Sequence, residues 1–391
     1  CSFKVKENAD GSIETLPGAS AADIQTVIDS MPSGGTLVLP AEVITPAGGF
    51  TITTSGITII LQDGTVVQGS SPCFVVSASY TKITTESIGG ATCIPTGDSN
   101  GIDVAAGLTN IIIEGLEING TGQDTGDGIN FAGAITDVQI VDNYIHDLDG
   151  DGVHFTAQPA GVLDIQGNLF LNNAGVGVNN AAGTADINAE YNSWGDYAGP
   201  TGTNGDGIST FVDADPWTHV DLYMTSSGTV YSDQVVNGQN ITYTVYGNLQ
   251  NVMGTDFTFN YPSNLTYVSH TLGGQFSYYE NLDHSVAGKL VFQGYSLTAA
   301  NVVTGQNLAL FTVTLEGTTS GTGLALDLDE TTDAFSMSPG YGPSTNIYAY
   351  DLLDGSVEVI DLPTLSSTDL VGPYVAGILR EFHVTLDNPS S

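Results

Sequence analysis

Apolar residues alternate with polar ones in short runs through the first half of the chain, and the runs themselves recur. The segments "TNIIIEGLEI" (109–118), "TDVQIVDNYI" (136–145) and "GVLDIQGNLF" (161–170) align without gaps, and "GTADINAEYNSW" (183–194) follows them. Ile111, Val138, Leu163 and Ala185 share one column; Ile113, Ile140, Ile165 and Ile187 share the next. A second series interleaves: "NGIDV" from Asn100, "DGINF" from Asp127, "DGVHF" from Asp151 and "AGVGV" from Ala174. It aligns Ile102, Ile129, Val153 and Val176, and likewise Val104, Phe131, Phe155 and Val178, at a period of 22 to 27 residues.

Strands this short cannot bury a face alone, so the stable solution is to stack them into a coil around one apolar interior. The pattern predicts a parallel β-helix. Asn143 and Asn168 fall in one column, where amides about 4.8 Å apart hydrogen-bond from coil to coil. Upstream, "SAADIQTVIDSMPSGGTLVLP" sets Ile24, Val27 and Ile28 at helical spacing before Pro32 and a glycine pair, predicting a short helix that caps the first coil.

After Trp217 the period ends. Strand-like runs follow at sandwich spacing: "DLYMT", "NITYTVYGN", "TDFTFNYPSNLTYVSHT", "GKLVFQGYS", "LALFTVTLEG", "LALDLD" and "DGSVEVI". The tail closes with "YVAGILREFHVTLDNPSS", in which Phe382, Val384 and Leu386 alternate with Glu381, His383 and Thr385. A single strand makes no domain, so it needs a partner in its own sandwich, in a neighbouring chain by strand donation, or in a further domain that it begins. The expected organisation is an extended segment (1–17), a β-helix with its capping helix (18–218), a β-sandwich (219–360), and a linker with a terminal strand (361–391).

Composition narrows the partners. Five basic residues stand against 43 acidic ones, and none lies between Lys82 and Lys289, so no positive surface exists for nucleic acid or anionic membrane. The formal charge of −38 repels itself unless cations condense on it, which makes bound Ca2+ the one cofactor to expect, or else a saline medium. Aspartates outnumber glutamates 31 to 12, which fits loops better than helices. No apolar run is long enough to span a membrane. The chain starts at Cys1 rather than Met, as a mature or trimmed product does; a lipid-modified Cys1 is a less favoured alternative to an arbitrary trimming point. Asn119, Asn240 and Asn264 head Asn-x-Thr sequons, which become glycosylation sites if the protein is secreted. Cys73 and Cys93, close to one repeat apart, either form a disulfide between coils or remain two buried thiols.

The opening "IQTVID...GGTLVLP" and the closing "NSWGDYAGP...DADPW" together resemble the right-handed parallel β-helix repeat proteins of secreted polysaccharide lyases, glycoside hydrolases and bacterial or archaeal surface proteins. The resemblance spans about residues 18 to 218 and implies the fold without selecting an activity. The "FTFNYPSNLTYVS" run, the "ALFTVTLEG" strand and the final "DGSVEVI" resemble a cohesin-type β-sandwich, the module that receives dockerins in cellulosomes and also occurs in surface proteins. The resemblances imply an all-β fold: a right-handed parallel β-helix, an Ig-like or cohesin-like β-sandwich, and a C-terminal single-strand tail.

Two acidic constellations carry candidate chemistry. Stacking puts Asp127 and Asp151 in one column, their carboxylates about 5 Å apart, where two like charges need help to stay ionised. That is the spacing of a retaining glycosidase pair, and "GDGINF" and "GDGVHF" resemble the aspartate motifs of polygalacturonases, with His154 placed to assist proton transfer. Polygalacturonases and uronate lyases, however, hold their acidic substrates with Arg or Lys, and the β-helix has neither beyond Lys82. Asp is also favoured at glycine-rich corners for turn geometry alone. The second constellation, Asp147, Asp149, Asp151 and Gly152, matches the first half of an EF-hand loop, but Gln158 stands at the twelfth position instead of Glu. A calcium ion shared with Asp124 or Asp127 of the preceding coil is one reading; a solvated turn is the other. Asp327, Asp329 and Asp333 form a weaker candidate.

The reading favoured by the sequence is a non-catalytic extracellular structural or adhesive protein, self-associating into a surface fibre, sheath or layer. Its rivals are a glycoside hydrolase or polysaccharide lyase using Asp127, Asp151 and His154, and a module that binds carbohydrate or a dockerin.

Overall fold

Ile113, Ile140 and Ile165 stack in register along parallel strands, and all three are fully buried. Each such side chain contributes about 1.5–3 kcal/mol by leaving water, so a column of them fixes which face of every strand points inward. The structure, a computed structural model, describes residues 5–123, 125–227, 234–296, 301–336, 351–353, 355–360, 364–367 and 384–387. It is all-β apart from one ten-residue helix and a short 3-10 turn among those residues.

The first half coils through three sheets of eight, six and six strands. All pairings in them are parallel except the first, where Val5–Glu7 runs antiparallel to Ile13–Thr15. The helix Ala21–Ser30 buries Ile24 and Ile28 against the open end of the coil, with Val27 packed at its margin. Ser20 caps it by accepting the amide hydrogen of Asp23. Inside the coil, the rings of Phe131 and Phe155 stack with centroids 4.7 Å apart, and Phe170 stacks on Trp194 at 5.0 Å.

One alignment changes at the last coil. Val153 pairs with Val178 rather than Val176, so the valine expected beneath Phe155 lies beneath Val153. Glycine sets this register. Gly101, Gly128 and Gly152 sit directly before their strands, and a Cβ on any of them would lie 2.5–2.6 Å from the carbonyl oxygen of the glycine one coil on. Gly177 is the next member of that column, so its successor Val178 takes the core position.

The second half is a sandwich of a five-stranded and a six-stranded sheet around its own core, which includes Phe257, Phe259, Phe292 and Phe311. Two details depart from the sequence pattern. The run "TDFTFNYPSNLTYVSHT" breaks at Tyr261–Asn264: Gly254–Asn260 pairs within the larger sheet, while Leu265–Leu272 edges the smaller one. The polar segment Tyr279–Val286, unremarkable in sequence, forms the edge of the larger sheet.

The terminal strand is not single. Val384–Asp387 pairs antiparallel with Thr364–Ser367 of its own chain, in a two-stranded sheet separate from both sandwich sheets. Phe382, His383 and Glu381 lie outside the described residues.

Candidate functional site

Asp127 and Asp151 lie at the glycine-marked corner that leads into the third sheet of the coil, each just before its strand. Asn100 occupies the same corner one coil earlier. A chain of side-chain caps runs down this edge: Asp127 N donates to Asn100 Oδ1 at 2.7 Å, Asp151 N to Asp127 Oδ1 at 2.8 Å, and Val176 N to Asp151 Oδ1 at 2.8 Å. The outward residues of the adjoining strands take up the remaining oxygens. His154 Nδ1 donates to Asp127 Oδ2 at 2.9 Å, and Asn179 Nδ2 donates to Asp151 Oδ2 at 2.7 Å. Asp103 accepts from Asn100 and Asn130 in the same manner.

N–H donors thus surround the two neighbouring carboxylates. Each of the four carboxylate oxygens accepts an N–H, and the two side chains are only 17% and 14% exposed, so their contacts are spent chiefly on the neighbouring coil. The cavities beside the helix Ala21–Ser30 and in the sandwich lie elsewhere and are lined by other residues.

The donor set can be tested for calcium on the same geometry. Asp127, Asp151 and His154 form the one group of three metal-ligating side chains among the described residues, with ligand atoms within 4.8 Å of one another. Calcium requires six to eight oxygens. Two carboxylates already bonded to N–H groups, plus an imidazole, do not fit it. Of the EF-hand-like aspartates only Asp151 belongs to this group: Asp147 is exposed and bonds His146, and Asp149 is exposed, while Asp124 lies outside the described residues. Gln158, at the twelfth loop position, caps the amides of Thr184 and Ala185. Asp327 accepts from Asn260, while the side chains of Asp329 and Asp333 lie outside the described residues.

A second polar ladder lies within the coil. Asn143 Nδ2 donates to Asn168 Oδ1, and Asn168 Nδ2 to Asn192 Oδ1, both at 2.9 Å, with all three asparagines buried. Asn192 extends the predicted column; its 24-residue spacing from Asn168 was the available signal.

Sequence reasoning missed an ionic node on the second sheet. His146 is almost fully buried and stacks on Tyr144, and its two ring nitrogens face Glu117 at 3.1 Å and Asp147 at 2.8 Å. Burial opposes its charge, but the two carboxylates outweigh burial and hold its pKa above the usual imidazole value. Glu117 is held below the usual carboxylate range by His146, with Thr92 donating to its other oxygen. Near the closing coil, burial pushes Asp206 up to about 6 against the bonds from Asn173, and lowers buried His219 to about 4.

Cys73 and Cys93, from successive coils, are joined by a disulfide with Cα atoms 6.0 Å apart. Of the sequon asparagines, Asn240 is exposed on its strand, Asn119 caps the amide of Thr121, and Asn264 donates to the carbonyls of Thr319 and Ser320.

No protein-family model matches the chain, and no curated protein matches it. Solved cohesin modules overlap about a third of it. The non-cellulosomal cohesin from the hyperthermophilic archaeon Archaeoglobus fulgidus is 16% identical, with 36% of this chain covering 91% of that one at a TM-score of 0.29. The seventh ScaB type I cohesin from Pseudobacteroides cellulosolvens is 16% identical over 40% of this chain and 99% of its own, at 0.30. The cohesin in the Coh-OlpA-Doc918 cohesin–dockerin complex from Clostridium thermocellum is 16% identical over 36% and 99%, at 0.27.

Proposed function

We propose that this chain is a non-catalytic structural or adhesive protein of the cell exterior, a β-helical stalk carrying a β-sandwich, which self-associates into a fibre, sheath or surface layer. The observation that carries the reading is the corner ladder: the carboxylates best placed for catalysis are consumed in capping one coil onto the next. They act as structural pins. The buried disulfide supports an oxidising compartment, because thiols in reducing compartments stay reduced. No helix among the described residues is long and apolar enough to cross a membrane.

The ribbon of Thr364–Ser367 and Val384–Asp387 supports assembly by strand exchange. An isolated two-stranded ribbon is marginally stable in water, so replacing its internal pairing with an edge on a second copy costs little. Sedimentation velocity and electron microscopy of the full chain, against a chain ending at residue 360, test this. Concentration-dependent oligomers that vanish on truncation are expected. A strict monomer at every concentration rejects the reading. So does release of reducing ends from neutral polysaccharides that is lost in Asp151→Asn, the outcome a glycoside hydrolase would give.

A further inference from the structure

Leu265–Leu272 edges the smaller sheet of the sandwich and Tyr279–Val286 edges the larger one. The two edges meet on one side of the module, where the rings of Tyr267 and His284 stack with centroids 4.2 Å apart. Beside this stack opens a cavity of about 640 Å³, within the range of small-molecule sites.

Its lining is unusual for so acidic a chain. Tyr261, Ser263, Thr266, Tyr267, His284 and Ser285 surround it over an apolar floor that includes Leu265, and no carboxylate, lysine or arginine lines it. Five hydroxyl-bearing side chains, two of them on tyrosine rings, and an imidazole therefore line a space without a formal charge. The phenol of Tyr267 is fixed in place, since its hydroxyl shares a hydrogen bond with His270 Nδ1 at 2.7 Å. Burial, reinforced by the like charge of His284, lowers the pKa of His270.

We propose that this cleft binds a neutral saccharide. A pyranose ring has apolar C–H faces and a rim of hydroxyls, so it pairs with ring surfaces and with Ser and Thr side chains at once. An anionic sugar finds no cation in the lining and meets the long-range repulsion of a chain with formal charge −38. A cationic ligand finds no carboxylate there. Because the site uses only side chains of the sandwich, it stands or falls independently of whether the protein assembles.

The test is ligand-observed NMR on the full chain, titrated with maltose, lactose and N,N′-diacetylchitobiose, and with glucuronic acid as the anionic comparison. Saturable binding of at least one disaccharide is expected, with a Kd on the order of 1 mM. His284→Ala, an exposed position, weakens it about tenfold, the size of one aromatic contact. Tyr267→Phe, which keeps the ring but frees it from His270, weakens it less. Tyr279→Ala, on the same edge strand but outside the cleft, leaves it unchanged. Absence of saturable binding by all three disaccharides overturns the proposal. So does affinity indifferent to His284→Ala, or glucuronic acid binding as tightly as the neutral sugars.

Discussion

The carboxylate of Asp127 accepts the amide hydrogen of Asp151 across the gap between two coils, at 2.8 Å. Its other oxygen is held by His154. Asp127→Ala removes both acceptors and leaves the Asp151 amide half-buried, so a loss of about 1.5–3 kcal/mol is expected. Asp127→Asn keeps an acceptor for that amide and loses less. Chemical denaturation of the two variants checks the order; equal stability of Asp127→Ala and wild type contradicts the ladder.

Asn168 both donates to and accepts from its neighbours, receiving Asn143 Nδ2 and N while donating to Asn192 and to the carbonyl of Ile140. Asn168→Asp turns both donations into acceptor–acceptor contacts inside a buried site. It is expected to destabilise by about 3 kcal/mol or more, and more than Asn168→Ala, which orphans the same partners without adding a charge. Thermal unfolding monitored by circular dichroism ranks the pair.

Gly128 supports coil spacing by having no side chain. A Cβ there would lie 2.6 Å from the carbonyl oxygen of Gly152 and 2.9 Å from Ile145 Cγ2, so Gly128→Ala must spread two coils and is expected to cost about 1–3 kcal/mol. Gly48→Ala, where nothing lies within 4 Å of the built atom, serves as the comparison and is expected to be near neutral. Equal melting temperatures for the two variants would count against the glycine column.

His146 and Glu117 predict a window of pH. The folded pKa of His146 is raised, so its contribution is complete below the unfolded value of 6.5 and is lost as pH climbs through the folded value. That of Glu117 is lowered, so its contribution is complete above 4.5 and is lost as pH falls through the folded value. The stability difference between wild type and His146→Gln should therefore be largest between those two limits, shrinking as the pH rises through the raised value of His146 and as it falls through the lowered value of Glu117. Urea titrations across pH measure it; a difference that does not vary with pH would show that the imidazole is uncharged.

The columns through Ile113, Ile140 and Ile165 were legible because a period-2 strand exposes its inward face directly in the letters. Val176 misled because "AGVGV" holds two Gly-Val pairs, and it is the carbonyl of the second glycine, Gly177, that stands against Gly152, so Val178 pairs with Val153. Tyr279–Val286 was not legible: an edge strand with one buried residue, Leu282, carries almost no alternation. The node of His146, Glu117 and Thr92 was hidden for another reason. Its members come from three successive coils, and each looks like an ordinary polar outward residue on its own strand.

The amino-acid order alone determined the all-β class, the coil repeat and the switch to a sandwich after Trp217, because those depend on local alternation and on glycine-rich turns. Only the tertiary structure decided what the acidic corners do. Whether Asp127 and Asp151 face substrate, a cation or a backbone amide depends on what stands one coil away, and the recurrence of an Asp at the corner is the same in the letters for all three.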